Sequence, residues 1–175
     1  MICAVSAALS PVLFGQTASS SPNVFVSNEK GYFDYVAHLV IAAAEKMPEE
    51  NYSFKPTPEV RSYGQIVAHI ADAQRMFCSM IAGQKPSMSE STEKTKTSKA
   101  DLVQALKDSK DSCDKAYTGL TDAQAAEVLS LEGQKMTKLT TMSINTGHTE
   151  EHYGNMVTYL RIKGLVPPSS EQQGK

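Results

Sequence analysis

The chain reads as all-α, a single antiparallel four-helix bundle, on three observations. Apolar residues recur at helical spacing in four long stretches. Polar links carrying Pro or Gly separate those stretches. No segment makes a credible sheet. With 175 residues, 41% of them hydrophobic, the chain is long enough to close one core.

The first helix is predicted over 28–47, with apolar residues at 33, 36, 37, 40, 41 and 44. Pro48 ends it, and PEENYSFKPTP forms a connector in which Tyr52 and Phe54 can cover the core. The second helix is predicted over 62–82. Ile66, Ile70, Ala73, Phe77, Met80 and Ile81 form its stripe, and Gly83 stops it. Residues 84–98 are rich in Ser and Thr and read as a long exposed loop. Ser98 followed by Asp101 resembles a capping box and starts a third helix that runs to about residue 120. Thr121-Asp122 caps a short turn, and a brief extended segment is expected around Gly133. The last helix is expected over 139–163, ended by Gly164, with the bundle spanning 27–165 and a polar tail over 166–175.

The formal net charge is −2, with signs mixed along the chain. Lys94, Lys96 and Lys99 lie among Ser, Thr and Glu and read as a solvated loop, so no nucleic-acid partner is expected. The eight Met are spread out as core filler.

The N-terminus differs in kind. Residues 2–14 (ICAVSAALSPVLF) are apolar and small, followed by a polar stretch to Pro22. The run falls short of the roughly 20 residues of a membrane-spanning helix. It fits the apolar region of a signal peptide over 1–20, cleaved within 15–20, which places the mature protein in the periplasm or outside the cell. No Lys or Arg precedes Lys30, so the usual basic segment is absent. The alternative is a loosely packed arm. Removal of Cys3 would leave Cys78 and Cys113, an even pair that an oxidising compartment permits to join. Two buried thiols acting as small hydrophobes remain the other reading.

Two of the four His lie in GHTEEHYGN, at 148 and 152. At about 100° per residue they share one side of the last helix with Thr141, Asn145, Met156 and Tyr159. Met156 and Tyr159 turn that side inward, and buried polar groups need partners. Two neutral imidazoles one turn apart can share an ion. His69, beside the apolar stripe of the second helix, is a candidate third ligand. Three His from two helices leave an open position, the pattern of a catalytic metal site. His38 has no such companion and reads as a partly buried His. HTEEH also matches the inverted zinc-protease string, but that motif needs a larger scaffold.

SYGQIVAHIADA over 62–73, with GHTEEHYGNMVTYLRIKGLVPPSS far downstream, resembles the DinB family. MPEENYSFKPTPEVRS is similar to that family's link between its first two helices, and the resemblance extends over about residues 28–170. It implies a DinB-like four-helix bundle with a divalent metal on His69, His148 and His152. It also implies a metal-dependent hydrolase or thiol transferase acting on a small molecule, and frequent homodimers. A divalent ion on three imidazoles lowers the pKa of water toward about 7, binds a thiolate or polarises a carbonyl. Zn is favoured and Ni is next. Glu151 and Asp72 are the candidate catalytic acid–base groups or supports for the His rings. Asn145 and Tyr159 are candidate ligand contacts or interior polar residues. A metal-holding bundle without catalysis, binding a small molecule or a partner, is the alternative function.

Overall fold

The computed structural model describes residues 23–85, 91–131 and 133–171. The expected signal peptide lies outside the described residues. Four long helices dominate: α1 (Val24–Lys46), α2 (Tyr63–Ile81), α4 (Lys99–Tyr117) and α6 (Lys138–Ile162). Among the described residues these are accompanied by two single-turn helices, α3 (Thr92–Thr95) and α5 (Asp122–Ala125), a hairpin of β1 (Val128–Leu131) and β2 (Gln134–Thr137), and 3-10 turns at Glu49–Asn51 and Pro168–Ser170. Among the described residues no helix is long and apolar enough to cross a membrane.

Local chemistry sets most boundaries. Ser62 Oγ accepts from Gln65 N while Gln65 Oε1 accepts from Ser62 N, a full capping box that starts α2. Ser98 accepts from Asp101 N at the start of α4, as its sequence predicts. Thr121 and Gln124 repeat the capping box at α5. Gly83 and Gly164 adopt φ of 72° and 74° just past α2 and α6. The left-handed turn lets Gln84 N and Leu165 N bond back to Ser79 and Leu160 carbonyls.

Four expectations are corrected. The first helix begins at Val24 rather than 28, because Asp122 accepts from the free Phe25 and Val26 N–H groups. The stretch 84–98 is not all exposed loop, since α3 lies within it and Thr92 is buried. An expectation of no sheet misses the hairpin, which pairs Val128 with Thr137 and Leu131 with Gln134. The third helix also ends three residues early, at Tyr117.

Helix directions follow from paired contacts. Lys30 and Asp34 of α1 meet Asp114 and Lys110 of α4, so that pair is antiparallel. Gln74 and Cys78 of α2 meet Thr149 and Asn145 of α6, also antiparallel. The bundle is completed by parallel neighbours: Glu29 and Tyr32 of α1 meet Thr146 and Glu150 of α6, and Gln74 and Cys78 of α2 meet Ser109 and Cys113 of α4. A purely antiparallel arrangement is refined in this respect. The long 82–98 connection is what allows α4 to return beside α2 in the same direction.

The core has two apolar halves. One gathers Val40, Met47, Tyr52, Tyr63, Leu102 and Leu160; the other gathers Phe33, Ile81, Tyr117, Met142 and the cystine. Cys78 and Cys113 are joined. Between the halves runs a polar waist. Ser109 Oγ donates to Gln74 Oε1 at 2.7 Å, Gln74 Nε2 donates to Thr149 Oγ1 at 3.3 Å, and Thr149 Oγ1 donates to Asn145 O at 2.8 Å. The start of the expected tail is packed: Ser169 N donates to the Tyr153 hydroxyl, and Lys46 pairs with Glu171.

Candidate metal centre

The waist opens to one side between α2 and α6, and there the three expected His meet. His148 Nε2 lies 3.1 Å from His69 Nε2 and 3.2 Å from His152 Nε2. The His148–His152 pair follows from one turn of α6, which stacks i and i+4. His69 joins because α2 and α6 are antiparallel neighbours at this level. The rings pack with centroids 4.5–5.0 Å apart, and Phe77 sits 6.1 Å from His148. His152 is buried, and His69 and His148 are half-buried.

Protein hydrogen bonds alone do not satisfy this arrangement. His148 Nε2 offers either one proton or one lone pair, so it makes one good hydrogen bond and leaves its other close nitrogen contact without one, and His148 Nδ1 is buried with no partner among the described residues. A cation among the three Nε2 atoms satisfies all of them. Metal–nitrogen bonds of about 2.0–2.1 Å set ligand nitrogens roughly 2.9 Å apart in octahedral geometry and roughly 3.3 Å apart in tetrahedral geometry. The two spacings to His148 fall in that interval, and all three ligand atoms lie within 4.8 Å of one another, so the three imidazoles form a candidate site for a divalent ion.

Electrostatics prepares them for it. Burial pushes His69 down to about 4, helped by the nearby Arg61 guanidinium and by His148. Burial likewise takes His152 to about 4, with His148 and His69 adding to it. His148 is lowered, again mainly by burial, against an opposing pull from Glu151. All three are neutral at pH 7, the form that ligates metal. Unfolded His titrates near 6.5. Below that value the unfolded chain binds more protons than the native one. The metal-free protein is therefore expected to lose stability as pH falls from about 6.5 toward about 4. Urea unfolding at pH 7.5 and pH 5 checks this. A midpoint that does not fall at pH 5, or an equal fall in a His69→Gln/His152→Gln variant, contradicts it.

Other candidates separate. Glu151 is exposed on α6 beside the ligands. Asp72 is otherwise engaged. Its Oδ1 accepts from Arg75 and Thr92 N, and its Oδ2 from Ser91 Oγ and Glu93 N. Burial pushes this carboxyl up, but those donors outweigh it and hold it below the usual range. Asp72 thus pins the first turn of α3 to α2 and has little left for acid–base work. Asn145 is fully buried and points to Tyr117 and the cystine, with Nδ2 2.9 Å from the Tyr117 oxygen. Tyr159 donates to the Arg61 carbonyl at 2.6 Å. Both are interior polar residues, and His38 is exposed and apart from the cluster.

Asn155 was not anticipated. Its amide lies 3.3 Å from His152 Nδ1. With the amide oxygen turned toward that nitrogen, it accepts Nδ1–H and leaves the Nε2 lone pair for an ion. The signal was present: Asn155 closes GHTEEHYGN, three residues after His152. Asn155→Ala is expected to weaken Zn binding about 10-fold in a competition titration with a chromogenic chelator; unchanged affinity contradicts the assignment. Arg61, also missed, lies in a linker where no periodicity marks it.

Bundle and site together define a helical protein with a three-imidazole centre at its waist. The chain belongs to the DinB superfamily, matching that family over residues 32–156. The uncharacterized protein YjoA of Bacillus subtilis (strain 168) is 26% identical over 122 residues, 69% of this chain and 79% of YjoA. The crystal structure of a DinB-like protein from Bacillus cereus ATCC 10987 matches with a TM-score of 0.70 at 18% identity, over 85% of this chain and 97% of that one. The YjoA crystal structure matches with a TM-score of 0.67 at 22% identity, over 84% and 99%. At these identities the structural likeness speaks for the fold.

Proposed function

We propose that this protein is a divalent-metal-dependent hydrolase or group (thiol) transferase that acts on a small molecule, with Zn as the first choice of metal and Ni the next. The observation that carries the reading is the convergence of three neutral Nε2 atoms from α2 and α6. His69, His148 and His152 hold the ion. When bound, it supplies Lewis acidity, lowering the pKa of water at an open position toward about 7 or polarising a carbonyl. Asn155 orients the His152 ring, and packing against Phe77 orients His148. Glu151 is the carboxylate left to accept or return a proton. The buried Cys78–Cys113 bond and the apolar leader support a place of action in an oxidising compartment.

One observation favours the alternative, a metal-holding bundle without catalysis. A cleft of about 380 Å³ among the described residues, beside the first turn of α2, is lined by none of the three His. The test is a screen of Zn- and Ni-loaded protein against chromogenic esters, amides and phosphoesters, and for transfer of a small thiol to a haloarene. The enzyme reading expects turnover that disappears in His152→Ala and falls about 100-fold in Glu151→Gln. Stoichiometric metal with no turnover in any arm leaves the metal-holding reading.

A further inference from the structure

We propose that the cleft beside the first turn of α2 is a binding site for the anionic end of a small carboxylate- or phosphate-bearing molecule, held between Lys55 and Lys96. The cleft measures about 380 Å³, within the range of small-ligand sites. Tyr52, Gly64, Ala68 and Leu102 give it an apolar floor. The floor depends on Gly64 having no side chain: a Cβ there would stand 3.2 Å from the Tyr52 carbonyl oxygen and 3.3 Å from Leu102 Cδ1.

The charge comes from two separate segments. Lys55 belongs to the linker before α2, and Lys96 follows α3. Among the described residues neither ammonium has a carboxylate within ion-pair distance. Glu93 is the one carboxylate on the cleft wall, and Arg61 Nε already meets it at 3.4 Å. Two cations thus face one anion that has its own partner. Over a concave, partly apolar wall such a surplus attracts an anion more strongly than on an open surface.

Position suggests the use. Gln65 lines the cleft and lies one turn before His69 on the same side of α2, a rise of about 6 Å. A molecule anchored by its anion at the lysines would extend toward the imidazoles. That use as a substrate anchor rests on the enzyme reading above; binding of the anion does not.

Calorimetric titration of succinate and of inorganic phosphate tests the site, at low ionic strength and pH 7.5. The proteins are metal-free, chelator-free wild type, Lys55→Gln/Lys96→Gln and His148→Ala. Saturable one-to-one binding of at least one probe is expected, at least 10-fold weaker in the double Lys variant and unchanged in His148→Ala. The tighter probe names the carboxylate or phosphate source. No saturable binding, or equal binding in wild type and the double Lys variant, overturns the proposal. Loss in His148→Ala with retention in the Lys variant places the anion on the imidazoles and overturns it too. Anion binding with a blank activity screen sinks the enzyme reading alone.

Discussion

Replacing His148 with alanine is expected to take the bound divalent ion from one equivalent per chain to none that survives dialysis. His148 is the central member of the cluster, with its Nε2 3.1 and 3.2 Å from the other two ligand atoms. Without it, His69 and His152 make a two-ligand site on separate helices. The loss exceeds the roughly 10–100-fold that follows removal of an outer partner of a ligand. Because His148 is only half-buried, the variant should still fold, and its circular dichroism in the metal-free state should match wild type. Elemental analysis after reconstitution with Zn or Ni reads the result. A variant that keeps a full equivalent would show that the ion sits elsewhere.

Reducing the Cys78–Cys113 bond is expected to cost about 4 kcal/mol of stability. The bond closes a loop across a sequence separation of 35, and the chain-entropy model gives that figure for a loop of about this length. For a domain of this size the loss should lower the melting temperature by on the order of 10 °C. Both Cys are buried, at 1% and 0% exposure, so a reductant acts only when the bundle opens. Unfolding curves equilibrated with and without dithiothreitol read the difference. Cys78 and Cys113 both reacting as free thiols in denatured, never-reduced protein would show that the bond is absent.

Much of this architecture was legible because local rules agreed with the fold. Ser98 with Asp101 marks the start of α4 and Thr121 the start of the short turn at α5, and hydrogen bonds confirm both. The three His were legible too, since i and i+4 on α6 and an inward position on α2 are periodic facts. What escaped was set by distance in sequence. Its place one turn after His69 makes Asp72 look like a helper of that ring. It instead caps α3, whose residues lie 19 to 21 positions downstream. Asn145 shares a side of α6 with the ligands, yet turns into the core because α4 brings Tyr117 there. Helix direction was hidden as well, because periodicity carries no sign. Only paired contacts such as Glu29 with Thr146 and Gln74 with Ser109 reveal which neighbours run parallel.

His69, His148 and His152 are proposed to hold one divalent ion through their Nε2 atoms. X-ray absorption at the metal edge of Zn- or Ni-loaded protein tests it most directly. Three nitrogen scatterers at about 2.0–2.1 Å with the outer-shell signature of imidazole rings are expected. A first shell of sulfur, or of oxygens without imidazole scattering, would contradict it.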